Sequence, residues 1–287
     1  MSAIGATVKH PRSGRCKHPS IYRRVIARLD FLTTEIVGSI EACGLLLQKV
    51  ANTIRFEWFW KQHVSGNPDV VFFESFDISR TKHPIWDFTL GRVRELGNDG
   101  LILEFGCHNG GSLLYFSKHV PETFQLVGFD CFEGIPEAWD SLPRGSIKGF
   151  GAPLELWNDY PEQKKEVLAR FQRDGIMPHP PQPNIVIEAG LFSESVTRFL
   201  HNGVPANICL IHFDADLYIS TRPVLDSIAG QLKTRYFILF DEFYSVNHEF
   251  KAWMEFVAVF GLTRWRVVAA SEDGVQMLID VNYPEIG

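Results

Sequence analysis

From residue 100 onward the chain alternates short, apolar, β-rich runs with helical segments, and no other feature constrains its fold as tightly. The runs span residues 101–105, 125–130, 184–189, 208–214, 236–241, 266–270 and 275–280. Helical candidates lie between them near 111–119, 162–174, 194–202, 221–232 and 248–261. A strand that is apolar on both sides must be covered on both faces. The alternation therefore predicts an α/β fold, a seven-stranded and mostly parallel sheet with helices on both faces. Only residues 271–274 separate the last two runs, which is too short for a helical crossover, so that pair is expected to be antiparallel.

Composition fits this reading. Hydrophobic residues make up 45 % of the chain and charged residues 22 %, which excludes a mostly disordered protein. With 28 Lys and Arg against 34 Asp and Glu the net charge is −6, so no nucleic-acid partner is expected. The cysteines Cys16, Cys43, Cys107, Cys131 and Cys209 form no C-x-x-C pair, against a zinc knuckle or a disulfide framework. Reduced, mostly buried thiols in a cytoplasmic protein are expected. No apolar run approaches the ~18–20 residues that a membrane span requires.

The first 29 residues hold no Asp or Glu but carry Lys9, Arg12, Arg15, Lys17, Arg23, Arg24 and Arg28. They lack a compact apolar region and a small-residue cleavage site, so a solvated basic arm is expected rather than a secretory signal, with a transit sequence or a contact to an anionic surface as the alternatives. From residue 21 to about 62 the pattern is helical, with Ile36, Val37, Ile40, Leu47 and Val50 on one face and Phe56, Trp58, Phe59 and Trp60 following. Residues 1–90 are thus expected to form an arm and a helical appendage that packs on the main domain or on a second subunit, giving a homo-oligomer. Residues 91–287 form the main domain. Within it the Pro- and Gly-rich stretch 131–183 is too long for a plain connection and reads as a lid, to which Trp139, Trp157 and Tyr160 offer rings.

Three constellations carry chemistry. Glu104-Phe105-Gly106-Cys107-His108-Asn109-Gly110-Gly111-Ser112 ends one strand and begins a helix, where glycines admit a ligand to the backbone and the helix start offers free N–H groups. Asp130 ends the next strand, and an acid there accepts the hydroxyls of an adenosine ribose. His108 stands where G-x-G-x-x-G needs its second glycine, which favours an adenosine ligand without phosphate over a dinucleotide. His212-Phe213-Asp214-Ala215-Asp216-Leu217-Tyr218 and Phe240-Asp241-Glu242-Phe243 close two further strands. A parallel sheet brings its carboxyl ends to one crevice, so Asp214, Asp216, Asp241 and Glu242 are expected to converge. Carboxylates so placed repel one another unless a cation separates them, and oxygen ligands select Mg²⁺, Ca²⁺ or Mn²⁺. Helix capping by Asp216 and Glu242 is the alternative.

These residues resemble the class I S-adenosylmethionine-dependent O-methyltransferases, and among them the macrocin O-methyltransferase-like (TylF-type) family of antibiotic-sugar methyltransferases. The resemblance covers about residues 100–280. It rests on Glu104-Phe105-Gly106 with Gly110-Gly111-Ser112, on residues 128–139 (Gly128-Phe129-Asp130-Cys131-Phe132-Glu133-Gly134-Ile135-Pro136-Glu137-Ala138-Trp139), on residues 212–221 and on Asp241-Glu242-Phe243. It implies a Rossmann-like sheet with S-adenosylmethionine in the crevice and Mg²⁺, or another hard divalent cation, beside the methyl donor. Carried over, Glu104, Gly106, Cys107, Ser112, Asp130, Phe132, Glu133 and Asp214 hold the cofactor. Gly190, Phe192 and Ser193 lie on its adenine side, and Asp214, Asp241 and Glu242 bind the metal. Glu242 departs from the family's usual Asp, residues 190–196 lack the usual Thr-Leu-Pro ending, and Leu217 replaces the lysine of catechol-type relatives.

The expected reaction is methyl transfer to a hydroxyl of a small molecule, a sugar moiety or another vicinal diol, with Asp216 as first candidate for the base and His248 as second. Two other readings stay open. One is a non-haem iron hydroxylase using His212, Asp214 and another His. The other is a non-catalytic cofactor-binding module working through the N-terminal helices.

Overall fold

The computed structural model describes residues 43–75, 82–139, 141–174, 179–204 and 206–282. The basic arm, Cys16, Ile36, Val37 and Ile40 lie outside these residues. By contacts the chain divides into Met1–Val50 and Ala51–Gly287, so residues 51–90 fall in the larger unit. In the smaller unit the described residues, 43–50, are helical.

The larger unit opens on a helix, α1 (51–63), and continues through β1 (Val71–Phe73), α2 (His83–Arg94), β2 (Gly100–Phe105), α3 (Gly111–His119) and β3 (Phe124–Asp130). After a short 3-10 turn (Leu154–Trp157) come α4 (Pro161–Asp174), β4 (Ile185–Ala189), α5 (Phe192–His201), β5 (Ile208–Phe213) and α6 (Tyr218–Ile228). The unit ends with β6 (Tyr236–Phe240), α7 (Glu249–Phe260), β7 (Trp265–Ser271) and β8 (Met277–Val281).

The strands form one sheet in the order β1-β7-β8-β6-β5-β2-β3-β4. All neighbours run parallel except β8, which is antiparallel to both β6 and β7. The seven expected strands are all present, and the short final connection forms the expected antiparallel pair. The sheet nevertheless has eight strands among the described residues. β1 adds an edge through the register Val71↔Ala269 to Phe73↔Ser271, and three residues with one partner leave too little period-two pattern to read beforehand.

Alternation along the strands sorts their side chains into two cores. Leu101, Leu103, Phe105, Phe129, Phe213, Ile238 and Phe240 face α1, α5, α6 and α7. Ile102, Leu126, Phe237 and Leu239 face α2 and α3. On the first face, Phe129, Phe105, Phe213 and Phe240 stack in sequence across four adjacent strands, with successive centroids 4.7, 5.3 and 5.5 Å apart. This aromatic row lies under the carboxyl edge of the sheet and braces the loops that leave it.

On the second face the same alternation buries two polar residues, Glu104 and His212. His212 Nδ1 lies 2.9 Å from Glu104 Oε1, the Ser112 hydroxyl donates to the same oxygen, and neither ring nor carboxylate is exposed. The pair ties β2, β5 and the first turn of α3 together.

α1 is part of this core. Phe59 is fully buried, stacked on Trp265 at 5.9 Å and edge-on to Phe250. No helix of the described residues is long and apolar enough to cross a membrane. Among the described cysteines all are free thiols, with Cys107 and Cys209 buried, Cys131 partly buried and Cys43 exposed. Phe59→Ala is expected to lower stability by about 3–5 kcal/mol, because a closed aromatic site cannot collapse onto the smaller side chain. Urea unfolding measures it.

Candidate active site

At the carboxyl edge, ladder hydrogen bonds continue past the strand ends and hold the loops in register. Asp214 N–H donates to Phe105 O and Asp241 N–H to Phe213 O, each at 2.9 Å. Gly106 adopts φ +95° with its Cα against the Asp214 carbonyl, where any Cβ would collide. A side chain is excluded there by the neighbouring loop, and the loop in turn borders a crevice of about 280 Å³.

Of the residues singled out in the sequence, Gly106, Asp130, Gly190, Phe192, Ser193, Asp214 and Asp216 line that crevice. Its apolar wall comes from Ile135, Pro136 and Ile147 of the 131–183 insert, from Leu191, and from Ile219, Pro223 and Val224 on α6. The aromatic rings expected of the insert are elsewhere. Trp157 is buried in the α2–α3 core, Trp139 bridges to Leu142, and Tyr160 is largely exposed.

The Asp130 carboxylate is held by backbone donors, His108 N–H on Oδ2 and Phe132 N–H on Oδ1, both at 2.7 Å. Burial raises its pKa, and these two N–H groups oppose the rise. His108, Phe132 and Asp216 all have positive φ, at 45°, 56° and 59°. Non-glycine residues seldom adopt this region, and two of the three, His108 and Asp216, line the crevice.

The remaining expected residues are placed differently. Glu104 and Ser112 sit behind the glycine loop in the His212 pair, because strand alternation turns Glu104 away from the crevice. Cys107 and Phe132 are buried beside the loop, and Glu133 is exposed. His248 caps α6: its Nδ1 accepts the Tyr218 N–H at 3.2 Å. His212 is therefore committed to Glu104, and the iron-binding set of His212, Asp214 and His248 is not assembled. β5 ends at Phe213, so Asp214 leaves the strand and does not share His212's side.

The four acids lie along one rim, and an ammonium stands against two of them. Lys82, the N-cap residue of α2, contacts Asp241 Oδ2 and lies 3.7 Å from Asp214 Oδ2. Gln276 Nε2 donates to the other Asp241 oxygen at 2.6 Å. Burial alone would raise the Asp241 carboxyl, but Lys82, His212 and Gln276 together outweigh it and hold Asp241 below the ordinary carboxylate range. Burial, with the charge of Asp241 next to it, pushes Asp214 well up and Asp216 up to about 7. Glu242 rises to about 7 for the same reasons, and its backbone N–H donates to the buried Glu249 at 3.0 Å. Sequence reasoning missed Lys82, Gln276 and Glu249. Glu249 follows directly on a helix cap, whereas nothing local marks the other two.

The crevice suits a nucleoside without phosphates. An acid stands at its β3 side for hydroxyl donors, and its walls are apolar. The start of α3, where a phosphate would bind, is taken by Glu155, whose Oε2 lies 2.5 Å from where a Gly111 Cβ would be. A carboxylate there complements the helix dipole and repels another anion. The donor set does not fit a divalent cation. Both Asp241 oxygens are engaged by nitrogen donors, and among the described residues no three His, Cys, Asp or Glu side chains converge to hold a metal. Where Mg²⁺ was expected, at Asp214, Asp241 and Glu242, Lys82 contacts Asp241 and lies near Asp214.

Placement separates structural from binding roles. Glu104→Ala would leave His212 and Ser112 without their shared acceptor. It is expected to cost about 1–3 kcal/mol of stability, seen as a lower urea midpoint.

The macrocin O-methyltransferase (TylF) family model matches residues 87–265. A search of the curated proteins gives no match. Among solved structures, calicheamicin methyltransferase CalS11 is similar at 21 % identity and a TM-score of 0.50, over 82 % of this chain and 93 % of that one. The O-methyltransferase NovP follows at 16 % identity and a TM-score of 0.46, over 68 % and 77 %. The family match spans more than half of the chain, including the glycine loop, Asp130 and the acidic rim, and the CalS11 likeness is one of fold. The chain therefore belongs to the macrocin O-methyltransferase (TylF) family and is an S-adenosylmethionine-dependent O-methyltransferase.

Proposed function

We propose that the protein methylates a hydroxyl on the sugar moiety of a glycoside or related natural product, using the crevice between β2, β3 and β5 for its cofactor. The observation that carries this reading is the joint lining of one crevice by Asp130 and by Asp214 and Asp216. S-adenosylmethionine, when bound, supplies an electrophilic methyl group on a sulfonium. Asp130 accepts hydrogen bonds from the ribose hydroxyls, and Gly106 lets the backbone pass close to the ligand. Leu191 and Phe192 offer apolar contact to the base, and Ile135, Pro136 and Ile147 exclude water as parts of a lid.

Asp216 takes the proton of the acceptor hydroxyl on a carboxylate oxygen. Its left-handed backbone conformation aims it from the loop rather than along the strand. Its raised pKa makes it a stronger base than an ordinary Asp near neutrality. His248 is the poorer candidate, since its Nδ1 already accepts the Tyr218 N–H.

Calorimetry with S-adenosylmethionine tests the cofactor step, and turnover across glycosides, catechols and simple diols tests the acceptor. No heat of binding would end the proposal. With a competent acceptor, kcat/KM is expected to rise with pH through about 7, because below that value Asp216 is protonated and cannot accept a proton. Asp216→Asn should remove this rise and lower kcat by about 10²–10⁴, with cofactor affinity little changed.

The reading includes a homo-oligomer formed through the N-terminal helices. Ile54 and Trp58 on α1 are 65 % and 57 % exposed, which supports it. Light scattering on the purified chain is expected to give a multiple of the 32.7 kDa chain mass, and a single-chain mass would refute the oligomer.

A further inference from the structure

The acidic rim raises a question that the methyl-transfer reading leaves open: what balances its charge. Asp214, Asp216, Asp241 and Glu242 follow the ends of two adjacent strands, β5 and β6, and Asp241 is 1 % exposed. Buried carboxylates demand a cation or hydrogen-bond donors. The chain provides both from distant segments. The Lys82 side chain reaches Asp241 Oδ2 and comes within 3.7 Å of Asp214, while Gln276 takes Asp241 Oδ1. Lys82 enters from the first residue before α2, whose Ile85, Trp86, Leu90 and Val93 are buried against the sheet. The ammonium is thus carried by a packed helix.

A hard divalent ion in this place would need the same carboxylate oxygens, at about 2.0–2.6 Å, with four or more further oxygens around it. The ammonium already occupies the approach to Asp241 Oδ2, and two cations sharing that oxygen would repel each other strongly at such a distance. Gln276 closes the second oxygen. Asp216 and Glu242 remain as the carboxylates that the organic donors do not engage at the rim.

We propose that Lys82 is the resident cation of this rim, a positioning residue that balances the Asp241 carboxylate, lies beside Asp214 and keeps divalent metal out. The inference rests on the methyltransferase reading for its consequence, which concerns the acceptor. Chelation by a metal demands two neighbouring hydroxyls. A rim balanced by an ammonium demands only one, held by a carboxylate or by the ammonium itself. The acceptor class therefore extends to isolated hydroxyls on a sugar ring, with no vicinal diol required.

The test uses Mn²⁺ alone as probe, with the full-length chain, following the electron paramagnetic resonance signal of the free ion. The same preparation is titrated calorimetrically with S-adenosylmethionine, so failure of the cofactor reading is seen separately. The wild-type chain is expected to leave the Mn²⁺ signal undiminished. Lys82→Met, which keeps an unbranched side chain one atom shorter and removes its charge, is expected to bind one Mn²⁺ per chain with affinity raised on the order of 100-fold. Adding Asp241→Asn to that variant should abolish the gain, and Lys82→Arg should behave as wild type. Lys82→Gln serves as the second charge-removing variant, with circular dichroism confirming that each chain is folded. Mn²⁺ uptake by the wild-type chain overturns the proposal. So does a folded Lys82→Met or Lys82→Gln chain that binds Mn²⁺ no better than wild type.

Discussion

A buried carboxylate at the end of a central strand sets the terms for everything around it. Asp241 follows β6 directly, and the sheet's parallel run delivers the ends of β2, β3 and β5 to the same edge. The edge is where a ligand can be met by several loops at once, and it is also where acids crowd. The fold answers by bringing Lys82 from α2 and Gln276 from the β7–β8 hairpin onto one side chain. Three separate segments meet at Asp241, so the helix, the hairpin and the rim position one another.

Beneath that edge the sheet is stiff in two ways. The Phe129, Phe105, Phe213 and Phe240 rings stack on one face, a contact that is apolar and tolerant of small shifts. Glu104, His212 and Ser112 join on the other, a contact that is polar and directional. Loops held from both faces can carry residues in costly conformations. His108, Phe132 and Asp216 do so, and the two backbone N–H groups that grip Asp130 come from the first two of them. Precise placement of Asp130 therefore rests on backbone that would be strained in isolation.

Much of this was legible in residues that lie close together in the chain. Seven strands, their parallel sense and the antiparallel final pair followed from apolar runs and the lengths between them. Of the four acids expected to converge, Asp214 and Asp216 reach the crevice that Asp130 also lines, whereas Asp241 and Glu242 are not among its lining residues. The family resemblance assigned Glu104 and Ser112 to the cofactor, and the structure joins both to His212. That assignment treated the glycine loop as one binding surface, whereas period-two alternation sends Glu104 to the opposite face of β2. The iron-hydroxylase reading paired His212 with Asp214, although β5 stops between them at Phe213. β1 was too short to show a pattern. The lid rings were assigned by residue type alone, and the crevice instead meets Ile135, Pro136 and Ile147.

Taken by itself, the sequence determined the layering of the fold, the edge at which chemistry is placed and the nucleoside character of the ligand, because each depends on patterns within a few residues of one another. Only the tertiary structure decided what balances the acids. Lys82 and Asp241 stand 159 positions apart, and Gln276 another 35 beyond Asp241. No local rule links a lysine before one helix to a carboxylate after a distant strand. Their contact exists because α2 packs on the sheet at the one place where its first residue overhangs the rim, and that is a property of the packed core as a whole.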